Sequence, residues 1–180
     1  MVYCFLADGF EEVEAIAPID MLRRADIEVK TVGVTGDVID GRHGIKVIPD
    51  ISVKDIVLDD TLQAVILPGG LPGATNLEES ADVQKAIDFV AVSGKYICAI
   101  CAAPQILGHK GLVKGKKAIA YPGFESELEG AEISEEYVVL DGNIITAKGA
   151  GVATEFGLKI VSVLKDAELA DKIGKAIQMK

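Results

Sequence analysis

Short apolar runs alternate along this chain with longer segments of helical spacing, and that alternation restricts the fold more than any other feature. Val2–Leu6, Ala64–Leu67 and Tyr96–Ile100 are apolar almost throughout. A strand with one face in water alternates apolar and polar residues, whereas an unbroken apolar run suits a strand covered on both faces. Ile27–Val34 is a further β-rich run, ending at Gly36, and Lys46–Ile48 reads as a short strand of a hairpin. Tyr137–Leu140 and Asn143–Thr146 flank Asp141-Gly142, a hairpin signal. Between them, Glu11–Arg24 has helical spacing with glutamates early and arginines late, the order the helix dipole favours. Ala81–Ser93 and Ala102–His109 read as helices closed by Gly94 and Gly111. Val152–Leu164 and Ala167–Gln178 complete the helical set. Strands alternating with helices imply a mostly parallel sheet between two helical layers. The expected fold is one three-layer, flavodoxin-like α/β domain over residues 1–180, with no linker, repeat or low-complexity segment.

The 180 residues are 49% apolar and 26% charged, a composition that buries a core. Formal charge is 18 − 28 = −10, which disfavours nucleic acid and anionic membranes as partners. No apolar run approaches the roughly 18 residues of a bilayer span. The N-terminal apolar run lacks a basic flank and meets acids at Asp8 and Glu11, so the expectation is a cytoplasmic protein. Three cysteines, an odd number, point to reduced thiols.

In open α/β sheets, ligands bind beyond the carboxyl ends of the strands. The segments leaving those ends here are Asp8-Gly9-Phe10-Glu11, Pro68-Gly69-Gly70, Cys101-Ala102-Ala103-Pro104 and Lys148-Gly149-Ala150-Gly151. One sheet edge therefore gathers a thiol, carboxylates and glycine-rich turns. Cys101 stands out because it directly follows a strand and precedes a helix with Pro104 in its first turn. Such an elbow presents a nucleophile, and a helix N-terminus favours its thiolate. Cys98 and Cys101 have C-x-x-C spacing, but Cys98 falls within the strand, where residues three apart point to opposite faces. Cys98 and Cys4 are read as core.

Neither histidine offers Cys101 an evident base. His109 is eight residues along the helix, about 12 Å of rise away. His43 lies in a loop before Lys46 and reaches the site only if that loop folds over it. The carboxyls of Glu11, Glu12 and Glu14 are the remaining candidates. Glu12 and Glu14 each lie on an apolar stripe, but they are about 200° apart around a helix, so both are not expected to face inward. Periodicity alone does not choose between them. The glycine-rich segments match neither a dinucleotide fingerprint nor a phosphate loop, and no cluster has metal-ligand spacing. Neither a metal nor a cofactor is expected.

The motifs Ala7-Asp8-Gly9-Phe10-Glu11-Glu12-Val13-Glu14, Leu67-Pro68-Gly69-Gly70, Ala99-Ile100-Cys101-Ala102-Ala103-Pro104 and Gly149-Ala150-Gly151 together resemble the ThiJ/PfpI superfamily. They are most similar to the branch of the parkinsonism-associated protein deglycase. The resemblance spans nearly the whole chain. It implies a flavodoxin-like sandwich, usually a homodimer, with Cys101 as the nucleophilic, easily oxidised cysteine. It matches Glu14, rather than Glu12, to the glutamate that shares a proton with that sulfur. Gly70 and Ala102 match backbone donors of an oxyanion-type site, and Gly69 and Tyr121 are candidate substrate-binding residues. Tyr121 stands where the family often has histidine. Ala102 stands where the protease-like branch has one, which argues against a peptidase. The activity implied is a glyoxalase or deglycase acting on methylglyoxal, glyoxal or early glycation adducts through Cys101 and Glu14. The alternative is a peroxide-responsive sensor or chaperone in which Cys101 becomes a sulfinate.

Overall fold

A computed structural model describes residues 1–179 of the chain. In chain order the elements are β1 (Val2–Leu6), α1 (Glu12–Arg24), β2 (Val29–Gly33), β3 (Ile39–Asp40), β4 (Lys46–Val47), β5 (Ile51–Ser52), β6 (Ala64–Leu67), α2 (Gly73–Glu79), α3 (Ala81–Val92), β7 (Tyr96–Ile100), α4 (Pro104–His109), β8 (Lys117–Ala118), β9 (Glu132–Ile133), β10 (Val138–Asp141), β11 (Ile144–Ala147), α5 (Ala153–Leu164) and α6 (Ala167–Ala176). Seven strands form the main sheet in the order β10-β11-β7-β6-β1-β2-β5. Every pairing in it is parallel except β10 with β11.

Period-two burial divides the core between the two faces of this sheet. Tyr3, Phe5, Val65, Leu67, Ile97 and Ala99 pack in one layer with Leu77 of α2, Ile87 and Val90 of α3, and Ile106 of α4. Val2, Cys4, Leu6, Ile66, Cys98 and Ile100 pack in the other with Ile19 and Leu22 of α1 and Phe156 and Ile160 of α5. Both faces of β1, β6 and β7 are thus covered, which is why their sequences are unbroken apolar runs. The inner order β2-β1-β6-β7-β11 reverses direction between β1 and β6. That reversal is the switch point at which doubly wound sheets open a crevice.

Several boundaries differ from the sequence reading. The helix expected from Ala102 begins at Pro104, leaving Cys101–Ala103 as a turn. Helix α2 was not expected, because its Pro72-Gly73 start has the chemistry of a turn. Strands β3, β5, β8 and β9 have two residues each, too few for any periodicity to register. Among the described residues, no helix is long and apolar enough to cross a membrane.

Candidate active site

The carboxyl ends of β1, β6, β7 and β11 converge on a cleft of about 410 Å³ whose lining includes Glu11, Glu14, Gly70, Cys101, Ala102 and Tyr121. Cys101 leaves β7 with φ 65°, a left-handed conformation that costs a non-glycine residue on the order of 1–3 kcal/mol. Two contacts hold it there. Its N–H donates to the Ala147 carbonyl at 2.9 Å, and its own carbonyl accepts the Tyr121 N–H at 2.8 Å. The elbow is therefore tied on one side to β11 and on the other to the segment carrying Tyr121. Cys101 is partly exposed, while Cys4 and Cys98 are wholly buried, and all three are free thiols. Because the chain turns at Cys101, strict strand alternation stops at Ile100. Cys101 consequently packs against the same layer as Cys98, not the opposite one.

Glu14 reaches the cleft from the first turn of α1 and is 1% exposed. Its Oε2 accepts the Gly69 N–H at 2.9 Å, and Oε1 is buried without a hydrogen-bond partner. Burial raises its pKa to about 7. The Cys101 thiol and the Gly69 N–H oppose that rise, and the Glu11 charge adds to it. Gly69 lies against both reactive groups. A Cβ there would sit 2.6 Å from Cys101 Cβ and 2.7 Å from Glu14 Oε2. Gly70 is equally confined, with φ 84° and the Glu11 nitrogen 2.5 Å from where its Cβ would be. We expect Gly69→Ala to push thiol and carboxyl apart and destabilise the fold by about 2 kcal/mol. Thermal melting together with the alkylation rate of Cys101 checks this, and unchanged values would show that the site has room to give.

The expectation that Cys101 is a thiolate by virtue of a helix end is corrected. Burial, followed by the charge of Glu14, pushes the thiol up to about 12, and the Gly70 and Ala102 N–H groups pull against them. Helix α4 has only six residues and starts at Pro104, and its nearby end does not offset the burial and the Glu14 charge. The two groups instead titrate as a pair. Moving the thiol proton to Glu14 removes the carboxylate charge that raises the thiol. The resulting sulfur anion then faces two N–H donors.

Comparison with known proteins places the chain in a family. The DJ-1/PfpI family description matches residues 1–163. The chain belongs to the DJ-1/PfpI family. It is 36% identical to Protein dj-1beta of Drosophila melanogaster over 175 residues, 96% of this chain and 93% of that protein. It is 33% identical to a Caenorhabditis elegans protein named glutathione-independent glyoxalase DJR-1.2, over 93% of this chain and 89% of the relative. The structure of oxidized Toxoplasma gondii DJ-1 superposes with a TM-score of 0.93 at 35% identity, covering 98% of this chain and 97% of the other. The flavodoxin-like α/β fold is shared with this DJ-1 structure.

Within this DJ-1/PfpI domain, Tyr121 is half exposed at the cleft, with Gly149 against its ring. Arg42 also lines the cleft and was not expected, and His43 reaches it because its loop does fold over the site. The loop before β4 folds back over the start of α1 and buries Glu12, which is 5% exposed. The expectation that only one of Glu12 and Glu14 faces inward is therefore corrected. Glu14 enters the cleft at the sheet edge, while Glu12 is covered by a different element. Glu12 Oε1 accepts the His43 and Ile45 N–H groups at 2.8 and 3.3 Å, and Oε2 lies 3.0 Å from His43 Nδ1. A Cβ at Gly41 would fall 2.4 Å from Glu12 Oε1, so this glycine lets the loop close on the carboxylate. The turn residues Gly41 and Gly44 were the available signal, but nothing local shows which carboxylate they cover. Glu11, Glu12 and His43 place possible ligand atoms within 4.8 Å of one another, yet Glu12 spends both oxygens on N–H groups of the loop, which makes the cluster a latch. His109 is elsewhere, between Glu78 and Glu127 at 2.5 and 2.9 Å.

Proposed function

We propose that this protein converts small 2-oxo aldehydes, such as methylglyoxal and glyoxal or their early adducts on proteins, into hydroxy acids without a cofactor. The observation that carries this reading is Glu14: a carboxyl 1% exposed, with a pKa near 7, beside a cysteine held at a strained elbow. In the reaction, the Cys101 proton passes to Glu14, and the sulfur attacks the aldehyde carbon. The aldehyde oxygen takes the proton back from Glu14, giving a hemithioacetal and restoring the carboxylate. Glu14 then removes the hydrogen from that carbon and returns it to the neighbouring one, leaving a thioester on Cys101. Water cleaves the thioester to release the acid and the thiol. A carboxyl with pKa near the working pH suits both directions of transfer. The Gly70 and Ala102 N–H groups support the anionic sulfur and oxygen. The C. elegans relative's name as a glutathione-independent glyoxalase supports the same class. A homodimer, the assembly the family resemblance implies, belongs to this proposal. The test is lactate formed from methylglyoxal in the absence of glutathione. Stoichiometric lactate over many turnovers is expected, and aldehyde loss without lactate would reject the reading.

A second reading rests on the exposure contrast among the thiols. Only Cys101 is reachable from the cleft, and burial raises the thiols of Cys4 and Cys98. As a peroxide sensor, the Cys101 sulfur would take one oxygen from each of two peroxides, releasing two waters and becoming a sulfinate. Mass spectrometry after mild peroxide is expected to find two added oxygens at Cys101 and none at Cys4 or Cys98. Equal oxidation of all three would remove this reading.

A further inference from the structure

We infer that His43, oriented by Glu12, is the proton shuttle for the substrate oxygens in this reaction. The inference rests on the glyoxalase reading above and adds a catalytic residue to it. Glu14 handles the hydrogen on carbon, but the rearrangement also moves a proton between two oxygens. When the carbon–hydrogen pair of the hemithioacetal becomes a carbon–carbon double bond, the ketone oxygen must gain a proton. When the thioester forms, the hydroxyl on the sulfur-bearing carbon must lose one. No net proton is consumed, so a single group that gives and then takes suffices, provided it reaches two vicinal oxygens. Imidazole is the side chain suited to this near neutral pH.

Three observations place His43 in that role. It lines the same cleft as Cys101 and Glu14. Its Nδ1 is 3.0 Å from Glu12 Oε2 and 3.5 Å from Glu11 Oε1. Glu12 is held ionised by the His43 and Ile45 N–H groups and the imidazole, which together outweigh its burial. A carboxylate only accepts, so Nδ1 carries a hydrogen. The ring is thereby fixed with Nε2 as the exchanging nitrogen, and Nε2 has no hydrogen-bond partner among the described residues. A base turned by a buried carboxylate is the arrangement that activates imidazoles in other enzymes. Glu12 is the positioning residue, since it acts through the ring. The other charged group beside His43 at the cleft is Arg42.

The steps balance with His43 starting as imidazolium. Nε2–H protonates the ketone oxygen as Glu14 takes the hydrogen from carbon, giving an enediol on sulfur. Glu14 then protonates the other carbon while neutral Nε2 removes the remaining hydroxyl proton, and the thioester carbonyl forms. Both groups end as they began.

The experiment compares wild type, His43→Asn and Glu12→Gln in lactate production, alongside the rate at which iodoacetamide alkylates Cys101. We expect kcat to fall about 10²-fold in His43→Asn and about 10-fold in Glu12→Gln, with alkylation within about twofold of wild type in both. That split separates a shuttle from a loop brace, because loosening of the loop would move alkylation too. His43 is mostly exposed, so its replacement does not threaten folding. Undiminished kcat in His43→Asn, or equal losses in kcat and alkylation, overturns the assignment. A wild type that makes no lactate overturns the glyoxalase reading and this one together, whereas normal wild-type turnover with an indifferent His43→Asn overturns the shuttle alone.

Discussion

In Cys101→Ser, lactate production from methylglyoxal is expected to fall by about 10³-fold or more while the fold is retained. Serine keeps the shape of the elbow and both backbone bonds, to Ala147 and from Tyr121. What it loses is the ability to become an anion by passing a proton to Glu14. A hydroxyl is a far weaker acid than a thiol, and a carboxylate such as Glu14 is too weak a base to take its proton. Neither remaining thiol can substitute. Cys4 and Cys98 are 0% exposed, and burial raises both. Lactate assays paired with thermal melting decide the matter. The melting temperature should move by no more than about 2 °C. Substantial turnover in the variant would remove covalent catalysis from the mechanism, and a large drop in melting temperature would show that the sulfur is needed for packing.

Much of the scaffold was readable because burial on both faces leaves a mark in the sequence. Val2–Leu6, Ala64–Leu67 and Tyr96–Ile100 are apolar at successive positions only because each packs into two layers. The same reasoning has no purchase on β5 or β8, two residues long, whose pairing is set by neighbouring strands and not by their own pattern. Helix α2 escaped for a related reason: Gly73 opens it against the Gly9–Phe10 backbone, a tertiary constraint that looks like a turn in one dimension.

At the site, Cys101 was legible from its junction between strand and helix. The choice between Glu12 and Glu14 was not, because both stripes are buried: one by the sheet edge, the other by a loop 31 residues away. That loop is also what moves His43 from an apparent surface position to the cleft. The acidity of Cys101 was misread for a different reason. Proximity to a helix start is visible in sequence, but the desolvation and the Glu14 charge that outweigh it exist only once the chain has folded. Both errors concern long-range cover, which local spacing does not encode.

The same burial makes Glu14 a stability liability whose removal is expected to separate function from folding. Glu14→Gln should lower kcat by about 10²–10⁴-fold, since an amide neither takes nor returns the hydrogen. It should also make the protein more stable at alkaline pH. Folding raises the Glu14 pKa from 4.5 to about 7, so the folded state holds a proton that the unfolded chain releases earlier. Stability is then full below pH 4.5 and declines as pH rises through about 7, by about 3.5 kcal/mol for a shift of about 2.5 units at roughly 1.4 kcal/mol per unit. Glutamine has no proton to lose, and its carbonyl still accepts the Gly69 N–H. The variant should therefore melt roughly 7–14 °C above wild type at about pH 8 and match it at about pH 4. Melting curves across that range are decisive. A gain that is the same at both pH values would point to packing, and a loss at about pH 8 would mean that the ionised carboxylate is stabilised by contacts stronger than its single bond to Gly69. A carboxyl that weakens the fold at the pH where it works is retained for its chemistry, which is the strongest physical reason to place the proton transfers on Glu14.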